Sequence, residues 1–93
     1  MSKSILQNEK ECYYSHTTYN IEKHHIFYGT ANKKLSEKWG CWVYLRHDLH
    51  NEPPAGVHHN KDNDLKLKQE CQRAFEEKYG HEKFMQIFGR NYL

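Results

Sequence analysis

The sequence predicts an α+β domain: a two-stranded antiparallel hairpin packed on a helix, with a further helix following it. Three observations carry that expectation. Two short runs, IEKHHIFY and CWVYL, concentrate β-branched and aromatic residues, and each meets a glycine at one end, as strands of a small sheet do. Beyond residue 60 the apolar spacing changes to the three-and-four pattern of a helix. A chain of 93 residues can bury one modest core but not two, so residues 1–93 read as a single domain.

Taken in order, residues 1–11 are polar and read as a flexible lead-in, frayed or briefly helical. The stretch CYYSHTTYN that follows mixes Tyr and Thr with turn-forming Ser and Asn, and reads as irregular or hairpin-like. Ile21 to Tyr28 is the first strand, ended by Gly29. TANKKLSEKWG is then expected as a polar, basic loop in which Ser36 and Glu37 open at most one helical turn. Cys41 to Leu45 is the second strand. RHDLHNEPPAG reads as a loop, because Pro53-Pro54 forbids helix and favours extended backbone. Across NKDNDLKLKQECQRAFEEKYG, Leu67, Cys71, Ala74 and Lys78 share a helical face with Leu65, Phe75 and Tyr79 nearby. Asn60, Asp62 and Asp64 enrich its first turn, and Gly80 stands where a C-cap belongs. A second helix over about His81–Phe88 gathers Phe84, Ile87 and Phe88 on one side. Residues 21–79 therefore form the expected core, and residues 81–93 a docking helix and tail. If that helix left Phe75 and Tyr79 uncovered, a homodimer would cover them.

Composition narrows the function classes. Mean hydropathy is −1.11 and apolar residues are 37%, yet aromatics reach 14%, which suits a small, ring-rich core. Tyr13, Tyr14, Trp39, Trp42, Cys41 and Cys71 are accordingly expected to pack rather than to react or bind. No apolar run approaches membrane-spanning length. The three cysteines are an odd number with no secretory segment ahead of them, which points to a reducing cytoplasm. A chain this short commonly needs a staple, and that leaves metal. The formal charge of +2 is compatible with nucleic acid without demanding it.

Histidine is the anomaly, with eight in the chain. The predicted topology can gather His24 and His25 at the end of the first strand, His50 in the loop, and His58 and His59 at the helix entrance. Three imidazoles suit zinc, nickel and similar ions and leave positions open for water and substrate. Neighbouring strand residues point to opposite faces, so His24 and His25 would both serve the site only where the strand ends or bends; alternatively, one takes the ion and the other faces the substrate beside it. His59 or Asp62 would compete with His58 for the ion, while His16, His47 and His81 read as surface residues.

EKHHIFYG, followed in order by WVYLRHDLH and GVHHN, resembles the HNH family of ββα-metal (His-Me finger) endonucleases. More narrowly it is similar to small phage-encoded HNH-like proteins, and the likeness covers roughly residues 12–93. The resemblance implies a ββα-metal core and a metal-dependent DNA endonuclease or nickase working in the cytoplasm of a bacterial host. His24 and His50 would hold one divalent ion (Mg, Mn, Ni or Zn), with His58 as a third ligand or phosphate contact. His25 would be the general base, and Lys33, Lys34, Lys38, Arg46 and Lys61 the candidate DNA phosphate contacts. Two departures accompany the likeness. The four positions of the relatives' zinc knuckle read Cys12, Ser15, Arg46 and Leu49, so no structural zinc is expected there. The middle Asn that orients the base has no counterpart ahead of His50, leaving Asn32 or a backbone carbonyl for that task. Those losses motivate a second reading, a catalytically silent relative that binds DNA or a protein partner as an inhibitor. A third is a metal that merely staples the fold.

Overall fold

The computed structural model describes residues 3–93, so the first two residues of the expected lead-in lie outside the described residues. The chain runs β1 (Ile21–His25), α1 (Thr30–Trp39), β2 (Trp42–Arg46), α2 (His47–Asn51), α3 (Lys61–Tyr79) and α4 (His81–Phe88). β1 and β2 pair antiparallel from Ile21↔Arg46 to His25↔Trp42. The architecture is the predicted α+β one: a two-stranded hairpin, a long helix, and a C-terminal helix docked beside it.

Three local expectations are corrected. Residues 30–39 form a ten-residue helix rather than a loop. It is amphipathic only in outline: Ser36 is buried and Leu35 and Trp39 pack against the core, while the lysines face water. Gly40, at φ 74, closes it by donating its N–H to Ser36 O, and a Cβ there would lie 2.2 Å from the Lys3 carbonyl oxygen. Residues 47–51 form a short helix, α2, ahead of the prolines. The lead-in is not helical from residue 3 on. It runs along β2, with Ser4 Oγ donating to Trp42 O (2.6 Å) and Gln7 Oε1 accepting from Tyr44 N (2.6 Å).

β1 is also shorter than expected, ending at His25 instead of Tyr28, and β2 is displaced by one residue. The reason is Ser36. Its hydroxyl donates to Phe27 O (2.6 Å) and accepts from Phe27 N (3.1 Å), which turns residues 26–27 off the strand and into the core. There Ile26 and Phe27 join Val43 and Leu45 of β2, Leu67, Cys71 and Phe75 of α3, and Phe84 and Phe88 of α4. The α3 face is thus Leu67, Cys71 and Phe75, with Lys78 exposed. Asn60 caps α3 by accepting from Asn63 N (3.0 Å). α4 covers Phe75 with Phe84 (5.5 Å between centroids), so a homodimer is not needed to bury that ring. The C-terminal tail is tied to α3 by Gln72, whose buried side chain accepts from Tyr92 N at 2.7 Å.

Ser36→Ala removes both partners of the Phe27 backbone at once. The expected loss is about 1–3 kcal/mol of stability, measured by urea denaturation at unchanged m-value.

Candidate metal centre

β1 alternates, and its alternation builds the site. Glu22 and His24 face inward, while Lys23 and His25 face out. His24 is 1% exposed, and its Nε2 is buried without any hydrogen-bond partner among the described residues. An orphaned imidazole nitrogen inside a fold needs an explanation. Around it stand His50 and His58, with ring centroids each 5.0 Å from that of His24 and 4.8 Å from one another. One nitrogen from each lies within 4.8 Å of the other two, a group that could hold a metal ion.

His50 and His58 are brought together although they come from α2 and the following loop. His58 N donates to His50 O (3.2 Å) and Val57 N to Leu49 O (2.9 Å), so the returning chain lies against α2. Gly56 permits the return, since a Cβ there would sit 2.5 Å from Glu52 O. The two Nε2 atoms are 3.1 Å apart. Two nitrogens on one tetrahedral zinc, with bonds of about 2.0–2.1 Å, lie roughly 3.3 Å apart, so the donor pair fits such an ion closely.

The charge state fits as well. Burial, reinforced by the neighbouring His50 and His58, holds His24 down to a pKa of about 3, so its lone pair is available at neutral pH. Burial also lowers His58, with His50 adding to the effect. Glu22 supplies the orientation. Its carboxylate accepts from His50 Nδ1 (2.8 Å) through one oxygen and from His47 Nδ1 (2.8 Å) through the other. With Nδ1–H donated to Glu22, His50 presents the Nε2 lone pair to the cluster. Those same contacts, His50 first, hold Glu22 below the usual carboxylate range, and Glu22 in turn raises His47. His47 lies at the surface, its side chain 40% accessible, and is tied to Glu22 there, whereas His59 and Asp62 are exposed and outside the three-histidine group.

His25 lies across the same cleft of about 230 Å³, which Lys23, Tyr28 and Lys33 also line. Its Nε2 is 2.9 Å from Glu37 Oε1 of α1, and Lys23 Nζ is 2.7 Å from the same oxygen. Lys23 first, then His25, keep Glu37 ionised below its ordinary value. A carboxylate accepts, so the proton of neutral His25 sits on Nε2 and Nδ1 carries the lone pair. The residue that reaches His25 is Glu37, not the Asn32 or backbone carbonyl expected from the sequence. Glu22 and Glu37 were the missed members. Glu22 sits two residues before His24 and was legible as a same-face carboxylate, but Glu37 could be placed only once residues 30–39 were known to be helical.

The predicted cationic residues separate. Lys33 lines the cleft, and Lys34 joins Lys33 and His25 around an adjoining hollow. Lys38 lies over the Trp39 ring, 5.8 Å from its centroid, and Arg46 is held by Asp48 at 2.5 and 2.9 Å. Neither these two nor Lys61 lines the cleft. At the positions compared with a zinc knuckle, Cys12 Sγ accepts from Ser15 N at 3.4 Å. Burial works against its thiolate, but hydrogen bonds from Ser15, Arg46 and Tyr14 outweigh it and lower the pKa.

No family model, curated protein or solved structure matches the chain. No helix among the described residues is long and apolar enough to cross a membrane.

Two outcomes follow from the geometry. An unfolded histidine takes up its proton near pH 6.5, whereas folded His24 does so only near pH 3. Between those values the unfolded chain binds more protons, so stability is full above about pH 6.5 and falls as pH drops toward about 3. In chelator, the melting temperature should therefore decline from pH 7 to pH 4, and His24→Phe should flatten that slope. Glu22→Gln should weaken zinc or nickel binding by about 10- to 100-fold in titration calorimetry, because His50 loses its ionic anchor.

Proposed function

We propose that this protein is a metal-dependent DNA endonuclease or nickase of the HNH type, hydrolysing phosphodiester bonds at one divalent ion. The observation that carries the reading is the division between two adjacent side chains. His24 turns inward to two further imidazoles, while His25 lines the same cleft from the other face of β1, gripped by a carboxylate. A metal that only stapled the fold would give no reason for a carboxylate-oriented imidazole beside it.

Three neutral imidazoles suit zinc or nickel better than magnesium or manganese, which prefer carboxylate, carbonyl and water oxygens. Zinc or nickel is therefore the ion we assign to His24, His50 and His58. Once bound, a divalent ion supplies the charge that polarises a phosphodiester and stabilises a leaving oxygen. The chain's own residues do the rest. His25 Nδ1 accepts a proton from the attacking water, and Glu37 holds the ring by its Nε2–H and stabilises the imidazolium that results. Lys33 and Lys34, beside His25, offer ammonium groups to the DNA phosphates on either side of the reacting one. Glu22 keeps His50 aimed throughout.

The test is supercoiled-plasmid relaxation with zinc, nickel, manganese or magnesium. His25→Ala is expected to lose about 10²- to 10⁴-fold in rate while metal affinity by calorimetry stays within twofold. Unchanged cleavage in His25→Ala would remove the proposed base. No cleavage with any ion, alongside intact metal binding, would favour the silent relative that binds DNA or a protein.

A further inference from the structure

The outward face of the hairpin carries a second concavity. Lys23 lies opposite Tyr44, and His25 opposite Trp42, so these four side chains share the face that looks away from the core. Residues 3–10 do not lie flat on it. They are pinned along β2 by Ser4 and Gln7 and leave a groove of about 560 Å³ between themselves and the strands. Trp42 and Tyr44 form its floor, their rings edge-on at 5.4 Å. Lys3, Lys10 and Lys23 surround them with the Glu9 carboxylate, and Lys23 is ion-paired to Glu37 Oε1 at 2.7 Å. Lys23 Nζ stands 4.0 Å from the Trp42 ring centroid, and Lys10 Nζ 5.8 Å from that of Tyr44. Trp42 is 9% exposed, and its indole Nε1 is buried with no hydrogen-bond partner among the described residues.

Two features decide what fits. Aromatic floors between ammonium groups accept flat, π-faced groups joined by phosphates, and a base offers that face only when it is unpaired. Lys23 also lines the metal cleft, so groove and cleft meet at one side chain. We infer that the groove is a subsite for an unpaired nucleotide segment running on from the phosphate held at the metal centre. It would stack on Tyr44 beside Trp42 and pair its phosphates with Lys3 and Lys10. The identity of the occupant rests on the nuclease reading. It extends that reading to a substrate class, DNA with a single-stranded segment next to the cut.

The measurement is fluorescence anisotropy of a labelled oligonucleotide in chelator, where no cleavage can occur. A single strand should bind at least about tenfold more tightly than the same sequence as a blunt duplex. Tyr44→Leu should cost the single strand about 5- to 100-fold, while Tyr44→Phe retains the parent affinity. Lys10→Ala should reduce the log–log salt slope by roughly 0.7, one phosphate contact to a single strand. Should Tyr44→Leu fail to give a cooperative melt, the Lys10→Ala slope decides alone. Equal affinity for both DNA forms overturns the inference, as does an unchanged Kd in a folded Tyr44→Leu or an unchanged Lys10→Ala slope. Equal competition by polyglutamate also overturns it, by showing charge attraction without base recognition. Because binding is read without metal, absence of plasmid cleavage sinks the nuclease reading alone. Cleavage with unaltered Tyr44→Leu binding sinks only the subsite.

Discussion

The register of β1 against β2 is the constraint on which the rest depends. His24 pairs with Val43 and His25 with Trp42, and the strand's period of two sends one imidazole into the core side and the other outward. A slip of one residue would exchange them and carry Glu22 away from His50 as well. Such a slip is opposed on several sides. Val43 and Leu45 are fully buried and could not face water cheaply, and residues 3–13 pair along the other edge of β2. The Ser36 hydroxyl then stops the strand just past His25.

Two carboxylates complete what the strand begins. Glu22, on the inward face of β1, and Glu37, reaching the outward face from α1, each accept from an imidazole that lines the cleft. Both are partly exposed, with side-chain accessibilities of 38% and 34%, so their worth lies in orientation rather than in stability. The buried partnerless nitrogen of His24 is the complementary feature. A group whose neutral form is favoured by burial is a poor surface residue and a good ligand.

Several parts of this arrangement could be read from residue order. The long helix announced itself through Asn60, Asp62, Gly80 and the Leu67–Cys71–Phe75 spacing, and its observed span is Lys61–Tyr79. His81–Phe88 was legible for the same reason, since four-residue spacing of large apolar side chains has few other readings. α1 was not legible. Its only buried residue is Ser36, a poor helix former, and its lysines carry no apolar period. The hidden signal was Leu35 and Trp39, four apart between two glycines. α2 was masked by the prolines that follow it, which govern only the residues beyond Asn51.

By itself the sequence determined two strands, the two C-terminal helices, a surplus of imidazole near three element ends, and opposite faces for His24 and His25. Those depend on local properties: β-branching, helical period, and the two-fold alternation of extended chain. Tertiary structure decided which histidines meet and what aims them. His58 reaches His50 through a backbone contact across a tight return at Gly56, and Glu37 reaches His25 from a helix lying between the strands in sequence. Such meetings are set by packing between segments distant along the chain, for which residue order alone carries no distance.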